Sequence, residues 1–546
     1  MTKRFNLIFI STITVIGISI IFFKFFLANK GLVIDDEAWF LLLIRDLPSG
    51  DAPTQFHKLF FNVFNGNIYQ IRISYIFLEI ISFLTFSTGL YYFLKEKYNL
   101  KKIHLYIFFT LTLIGYSIFC LPICNIPYYA NLNKTLLPLS IGFFLFSIYK
   151  FKLNKKHLYL LYFSGLIVGF QPFIMITTVT IYLCFLLLIF YYFDKQKIKH
   201  CIYYCLGIIT SISIYFVFIE NPIHFWENEI LVNFKSYSSS NYTEKHGILP
   251  ILRWLSVTIK YIIFNCTLPA IGIIGIRYLF PFLNHIQKRA FFLLLALSGV
   301  LFFYFEIIKG EHEYSSMNLF IAAFIFSMIE VFIVNKTDKQ IIPITLLIFI
   351  LPLLLSIGTD VDYKIRATDY IGMYFPFIFI LQLHLNKKKK IVFSIILSCY
   401  FVNYTSMYYR TNWGQFKYSE QKRSVKSLGI NQNLKLNNLN ISNLSQLKSF
   451  FNKNESIVVS DKNLNGTCYL LRLKMITYDF KLNPVKIIER LNTSYKGDTL
   501  KMIESIYSKF DSEFISDVPK FTPFKLTKTK NVGIHSILYF TREKGI

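Results

Sequence analysis

The residues best suited to chemistry are three consecutive carboxylates, Asp35, Asp36 and Glu37, in the run Ile34-Asp35-Asp36-Glu37-Ala38-Trp39-Phe40. Adjacent acids repel one another, and the repulsion must be offset by a cation, by hydrogen-bond donors or by a retained proton. Each offset has a use: such a carboxylate can draw the proton from an attacking hydroxyl or amine, and a set of carboxylates can hold a divalent ion. Acids at a helix start also serve as plain capping charges.

Other candidates lie far along the chain. Glu311-His312-Glu313-Tyr314 would gather two carboxylates and an imidazole around a cation or an acceptor hydroxyl, and Asp360-x-Asp362 is a second source of paired acids. Glu311, Glu313, Asp360 and Asp362 are therefore candidates for a further carboxylate beside the first three. Lys364 and Arg366 follow directly, and a guanidinium matches phosphate oxygens bidentately. Arg72 and Arg253 suit either a phosphate or the anchoring of a helix end. His57 suits pairing with an acid of the first group or a structural place.

These residues need elements to hold them, and the apolar pattern supplies many. The chain has 546 residues, 54% hydrophobic, 18% aromatic and 16% charged, which excludes an ordinary soluble enzyme and a disordered chain. A hydrocarbon core of ~30 Å takes about 20 helical residues to cross. Runs of that kind fall near 5–27, 71–94, 103–121, 135–150, 157–171, 173–193, 201–219, 253–276, 290–308, 317–334, 341–357, 369–385 and 391–409. The expected fold class is thus an α-helical polytopic membrane protein of about thirteen transmembrane helices with a small C-terminal α/β extracytoplasmic domain. The run 157–193 divides into a hairpin because Lys155 and Lys156 flank one end, Lys195, Lys197 and Lys199 the other, and Gly169-Phe170-Gln171-Pro172 breaks it.

The formal net charge of +27 raises the question of nucleic acid, and its distribution answers it. The N-terminus and alternate loops carry 22 Lys+Arg against 3 acids, whereas the intervening loops carry 11 against 15. That asymmetry is a topology signal: basic loops and N-terminus cytoplasmic, acidic loops and tail outside, with no nucleic-acid partner. The abundance of Ile, Lys, Asn, Phe and Tyr points to an AT-rich genome, hence a bacterial inner (cytoplasmic) membrane with the tail periplasmic or extracellular. Residues 5–27 read as a retained first helix, since Ala28-Asn29-Lys30-Gly31 offers no clear cleavage site.

Two domains follow: a membrane domain over 1–409, whose first outward loop, 28–70, carries the acidic motif, and an α/β domain over 410–546. Glu37–Leu47 and Thr54–Phe64 read as short interfacial helices. In the tail, Ser456–Ser460, Met475–Phe480 and Gly533–Thr541 read as strands, Asp498–Phe510 as an amphipathic helix, and the Asn-rich stretch 431–443 as a linker or irregular loop. Seven of the eight cysteines lie in or at the ends of spans; Cys468 alone is in the tail, so no disulfide closes there. Glu220–Arg253 is long enough for a mobile lid.

A first helix, an outward loop opening Asp-Asp-Glu-Ala-aromatic, interfacial helices, about thirteen spans and an exported tail together resemble the GT-C superfamily of integral membrane glycosyltransferases. That superfamily includes protein O-mannosyltransferases, the lipid A aminoarabinose transferase and the oligosaccharyltransferase catalytic subunit. The architectural resemblance spans the chain; the motif resemblance covers Ile34–Phe40. It implies a sugar donor on a polyprenyl phosphate or pyrophosphate, a glycan, lipid or protein acceptor in the cell envelope, and a first-loop acid that acts as base or orients the acceptor. Asp36 and Glu37 match the family's Asp-Glu pair, with Asp35 an additional acid and Asp36 the expected base. Pro122–Asn133 holds no acid, and the oligosaccharyltransferase tail signature Trp-Trp-Asp is absent. These departures favour a metal-independent branch or a second carboxylate drawn from another loop; no cofactor is certain, and a divalent cation is one candidate. The alternatives are a polysaccharide polymerase or O-antigen ligase, and a transporter or flippase of lipid-linked glycans.

Overall fold

The computed structural model describes residues 2–31, 36–46, 57–58, 61–119, 129–153, 155–175, 178–226, 340–356, 363–380, 418–460, 464–476, 484–493, 495–505, 509–510, 512–532 and 534–543, with scattered positions between 256 and 325. It divides into two compact units. The first comprises Met1–Lys24, Ile76–Cys124 and Ala130–Ser406; the second comprises Phe25–Tyr75, Asn125–Tyr129 and Met407–Ile546.

The first unit is helical. Its apolar runs become α1 (Thr2–Leu27), α3 (Ile68–Lys95), α4 (Lys102–Phe119), α5 (Tyr129–Lys152), α6 (Leu158–Phe170), α7 (Val179–Tyr192) and α8 (Lys197–Phe218). The short α9 (Pro222–Phe225), then α10 (Ile342–Ser356) and α11 (Tyr363–Ile378), complete the described helices of this part. Within the described residues, four helices are long and apolar enough to cross a membrane: Leu7–Leu27, Ile68–Lys95, Leu132–Lys152 and Lys197–Phe218. The proposed spans 253–276, 290–308, 317–334 and 391–409 lie largely or wholly outside the described residues.

Small residues let these helices approach closely. A methyl group on Gly89 of α3 would fall on the carbonyl oxygen of Gly142 of α5, so neither position admits a side chain. An ion pair joins α1 to α3: Lys24 Nζ lies 2.7 and 2.6 Å from the two oxygens of Glu79, and both residues are buried. Paired burial is the arrangement that charged residues inside apolar spans require.

The second unit contains a five-stranded mixed sheet in the order β4-β3-β5-β7-β6. Its strands are β3 (Ser456–Val459), β4 (Lys474–Met475), β5 (Thr499–Ser505), β6 (Phe524–Val532) and β7 (His535–Arg542). β3 runs parallel to β4 and β5, whereas β7 runs antiparallel to β5 and β6. Leu500, Met502, Leu538 and Phe540 face Ile487 and Leu491 of α14 (Pro484–Thr493) and Phe514 and Val518 of α15 (Ser512–Phe521). Edge strand β6 carries exposed Lys525, Lys528 and Lys530, charges that discourage pairing with another chain.

Two expectations fail here. Residues 499–505 form central strand β5, not a helix. Leu500, Ile503, Ile506, Tyr507 and Phe510 suit a helical stripe, but Leu500 and Met502 also satisfy a period of two, and pairing to both β3 and β7 decides the outcome. The Asn-rich stretch is not a linker. Lys435–Leu436 is β2, paired antiparallel with β1 (Arg423–Ser424), and α12 (Asn438–Lys448) follows. Asn437 caps it by accepting from the Asn440 N–H at 2.7 Å, the role short amides perform best. Met475 does lie in a strand, although 477–480 fall outside the described residues.

The segment after α1 also belongs to this second unit. Gly31 N–H donates to Lys435 O at 2.9 Å and Lys435 N–H to Asn29 O at 2.8 Å, so the exit from the first helix pairs with β2.

Candidate active site

α2 (Asp36–Asp46) begins at the second acid of the motif. Phe40, Leu41, Leu42, Leu43 and Ile44 are all buried, so α2 is an inner helix of the second unit. Of the second expected helix, 57–58 and 61–63 are helical and 54–56 and 59–60 lie outside the described residues.

The start of α2 is fixed by one arginine. Asn67 Oδ1 accepts from the Gln70 N–H at 3.2 Å, which caps the first turn of α3, and Arg72 follows in the next turn. Arg72 Nε donates to Glu37 Oε1 at 2.8 Å and Nη2 to Oε2 at 2.5 Å, the two-pronged match of a guanidinium to a carboxylate. Its remaining N–H groups reach the carbonyls of Ala28 at 3.0 Å, Lys30 at 3.1 Å and Gly31 at 3.1 Å. All five guanidinium donors are thereby used. Glu37 is fully buried and Arg72 is 4% exposed. Such a pair is costly to break from one side, because the partner is left as an uncompensated buried charge.

The carbonyls converge because the chain turns sharply after α1. Gly31 has φ of 63°, a conformation that side chains disfavour. Lys30, just before it, donates to Gln421 O at 3.0 Å. Burial, then the neighbouring Lys435 and Lys422, lowers the Lys30 pKa below the usual lysine value.

His57 is buried between α2 and α3. Its Nδ1 shares a short hydrogen bond with the Tyr75 hydroxyl, and Phe40 meets its ring edge-on with centroids 4.9 Å apart. Its Nε2 has no hydrogen-bond partner among the described residues. Burial pushes its pKa down to about 3, so the imidazole is neutral at ordinary pH and brings no positive charge to a phosphate.

The tail holds this loop through contacts that the sequence did not disclose. Arg45, near the end of α2, clasps Asp46 at 2.5 and 2.6 Å and donates to Tyr469 O at 3.2 Å and Leu473 O at 2.5 Å. Tyr469 lies in α13 (Asn465–Leu470), and its hydroxyl donates to Gly66 O at 2.9 Å. Gln432 Nε2 donates to the same carbonyl at 2.8 Å, while Gln432 Oε1 accepts from the Ile68 N–H at 3.0 Å. Apart from the adjacent Arg45–Asp46 pair, these contacts span more than 360 residues, and nothing in the local pattern marks them.

Of the residues singled out from sequence, Glu37 and Arg72 are brought together, and His57 lies near them through Phe40 and Tyr75. Asp36 is the first residue of α2, and Lys364 and Arg366 lie in the first turn of α11, each described through its backbone. Asp35, Arg253, Glu311, Glu313, Asp360 and Asp362 lie outside the described residues.

No family model matches the chain, and no curated protein matches it. Similar solved structures include ArnT from Cupriavidus metallidurans bound to undecaprenyl phosphate, at 10% identity and a TM-score of 0.41, covering 99% of this chain and 98% of that one. Another is the archaeal oligosaccharyltransferase AglB from Archaeoglobus fulgidus with an inhibitory peptide and a dolichol-phosphate, at 11% identity and a TM-score of 0.45, covering 92% and 70%. The Archaeoglobus fulgidus oligosaccharyltransferase tethered to an acceptor peptide is similar at 10% identity and a TM-score of 0.44, covering 94% and 69%.

Proposed function

We propose that the chain is a polytopic membrane glycosyltransferase of the GT-C kind. It transfers a sugar from a polyprenyl-phosphate donor to a glycan, lipid or protein acceptor of the cell envelope, at the outer face of a bacterial cytoplasmic membrane. The observation that carries this reading is the Glu37–Arg72 pair, anchored to the carbonyls of residues 28, 30 and 31. It locks Glu37, the last acid of the Asp-Asp-Glu motif, against the chain that follows the first helix, where a solvated charge would have no such lock.

The lock separates the roles of the acids. Glu37 has both oxygens engaged and acts as a positioning residue, as do Arg72, with its five donors spent, and neutral His57. Adjacent helix positions project about 100° apart, so Asp36 and Glu37 take separate tasks. Asp36 is the base, with Asp35 the additional acid beside it in sequence. The acceptor's lone pair attacks the anomeric carbon, the bond from that carbon to the phosphate oxygen breaks, and its electron pair leaves on the phosphate. The acceptor proton passes to Asp36. Arg366, with Lys364 or Arg253, neutralises the leaving phosphate. Glu311, Glu313, Asp360 and Asp362 are the carboxylates proposed to complete the site from other loops.

The test is to supply purified protein in nanodiscs with a panel of tritiated polyprenyl-phosphate monosaccharides and cell-envelope acceptors. Transfer of single sugars with release of polyprenyl phosphate supports the proposal. Movement of a whole oligosaccharide would replace it with a polymerase or ligase, and flux across the bilayer without transfer would replace it with a transporter.

A further inference from the structure

The second unit contains a cleft of about 840 Å³ in which the first loop meets the tail. Lys448, Lys453, Arg472 and Lys474 line it, and all four are exposed. None of the four is in an ion pair among the described residues; Lys448 Nζ donates to Leu428 O at 2.5 Å, and no side-chain bond is formed by the other three. The acid among the lining residues, Asp46, is already clasped by Arg45. Four like charges around one concavity concentrate a positive field there, and an anion entering it relieves their mutual repulsion.

The cleft also has features that a simple electrostatic patch lacks. Asn65, Asn431 and Asn454 place exposed amides along the wall, and Phe61 and Phe451 add half-buried aromatic faces. Amides exchange hydrogen bonds with hydroxyls, and aromatic faces pack against the apolar side of a sugar ring. The wall is held in shape by backbone: the Asn454 N–H donates to Arg472 O at 2.9 Å and the Lys474 N–H to Glu455 O at 2.8 Å. The volume is that of a site for a ligand of small-molecule to short-oligomer size.

We propose that this cleft binds a polyanionic glycan, a short saccharide bearing at least two carboxylate or phosphate groups, through Lys448, Lys453, Arg472 and Lys474. Describing that glycan as the acceptor rests on the glycosyltransferase reading; the binding site itself does not. The first loop contributes Asn65 and Phe61 to the same cleft, so a glycan seated there contacts the loop that carries the acidic motif.

The test uses full-length protein in nanodiscs and fluorescent probes: oligogalacturonate for carboxylates, oligo(glycerol phosphate) with sugar substituents for phosphates, neutral dextran oligomer as control. Binding of either anionic probe at least tenfold tighter than dextran is expected, weakening as salt rises. A K448Q/K453Q/R472Q/K474Q protein should lose at least tenfold in that affinity. A K509Q/K520Q/K525Q/K528Q protein, with the same change in net charge at exposed positions elsewhere in the tail, should bind as the wild type does. Equal binding by the two variants would overturn the site, as would equal binding of dextran. An oligothymidylate or polyaspartate of matched charge binding as tightly would overturn its glycan character. Preference between the carboxylate and phosphate probes identifies the anion. Because binding is read without turnover, failure here is distinguishable from failure of sugar transfer.

Discussion

Glu37 and Arg72 stand 35 residues apart in sequence and share one buried, two-pronged ion pair at 2.8 and 2.5 Å, whose guanidinium also gathers three carbonyls from the end of the first helix. The pair joins the segment that follows α1 to α2 and α3. Its chemistry is that of a bracket: all five guanidinium donors and both carboxylate oxygens are engaged within it.

Replacing one member should therefore act first on stability. Glu37→Gln or Arg72→Met leaves the partner buried without its counter-charge, and a loss of about 3–5 kcal/mol is expected. Arg72→Lys should recover little, since an ammonium cannot reproduce the fork. Thermal unfolding in detergent measures this; a variant as stable as the wild type would remove the bracket from the mechanism.

His57 predicts a pH dependence with a definite sign. Its folded pKa is about 3 against an unfolded value near 6.5, so between those limits the unfolded chain binds a proton that the folded protein does not. Stability from this group is full above about pH 6.5 and declines as the pH falls, by up to ~1.4 kcal/mol per unit. His57→Gln should flatten that slope over pH 4.5–6.5. An unchanged slope in the variant would show that His57 titrates normally.

The buried pair Lys24–Glu79 should show strong coupling. Lys24→Met alone strands a buried carboxylate and is expected to cost several kcal/mol, whereas Lys24→Met with Glu79→Leu should regain most of it. Additive losses in the double-mutant cycle would mean the two residues do not interact.

Arg45 links α2 to the carbonyls of Tyr469 and Leu473, so Arg45→Met should loosen the attachment of the first loop to the tail. Faster amide exchange at 36–46 and 465–473 is the expected result, with exchange in α6 and α8 unaffected. Equal protection in the variant and the wild type would make this tie redundant.

The legible part of the fold was the part governed by composition and period. α1, α3, α5 and α8 follow from long apolar runs, and β3 and β7 from short β-branched and aromatic ones. Residues 499–505 misled because their apolar positions fit two periods, and a strand flanked by neighbours on both sides is decided by pairing that sequence does not display. α12 was hidden in an Asn-rich stretch whose amides suggest a linker until Asn437 is seen as a cap. At the site, the acid motif was plain. That Glu37 and Arg72 belong to each other was not, because Arg72 begins a span and a basic residue there has an ordinary anchoring role. The ties from Arg45, Gln432 and Tyr469 cross hundreds of residues and leave no local trace.

The central claim is that Asp36 takes the acceptor's proton from a platform that Glu37 and Arg72 hold in place. It is tested most directly by measuring single-turnover sugar transfer from a tritiated polyprenyl-phosphate donor in nanodiscs, comparing Asp36→Asn with the wild type at matched thermal stability. Loss of a general base should lower the rate about 10²–10⁴-fold with donor binding retained. Transfer by correctly inserted Asp36→Asn at the wild-type rate would contradict it.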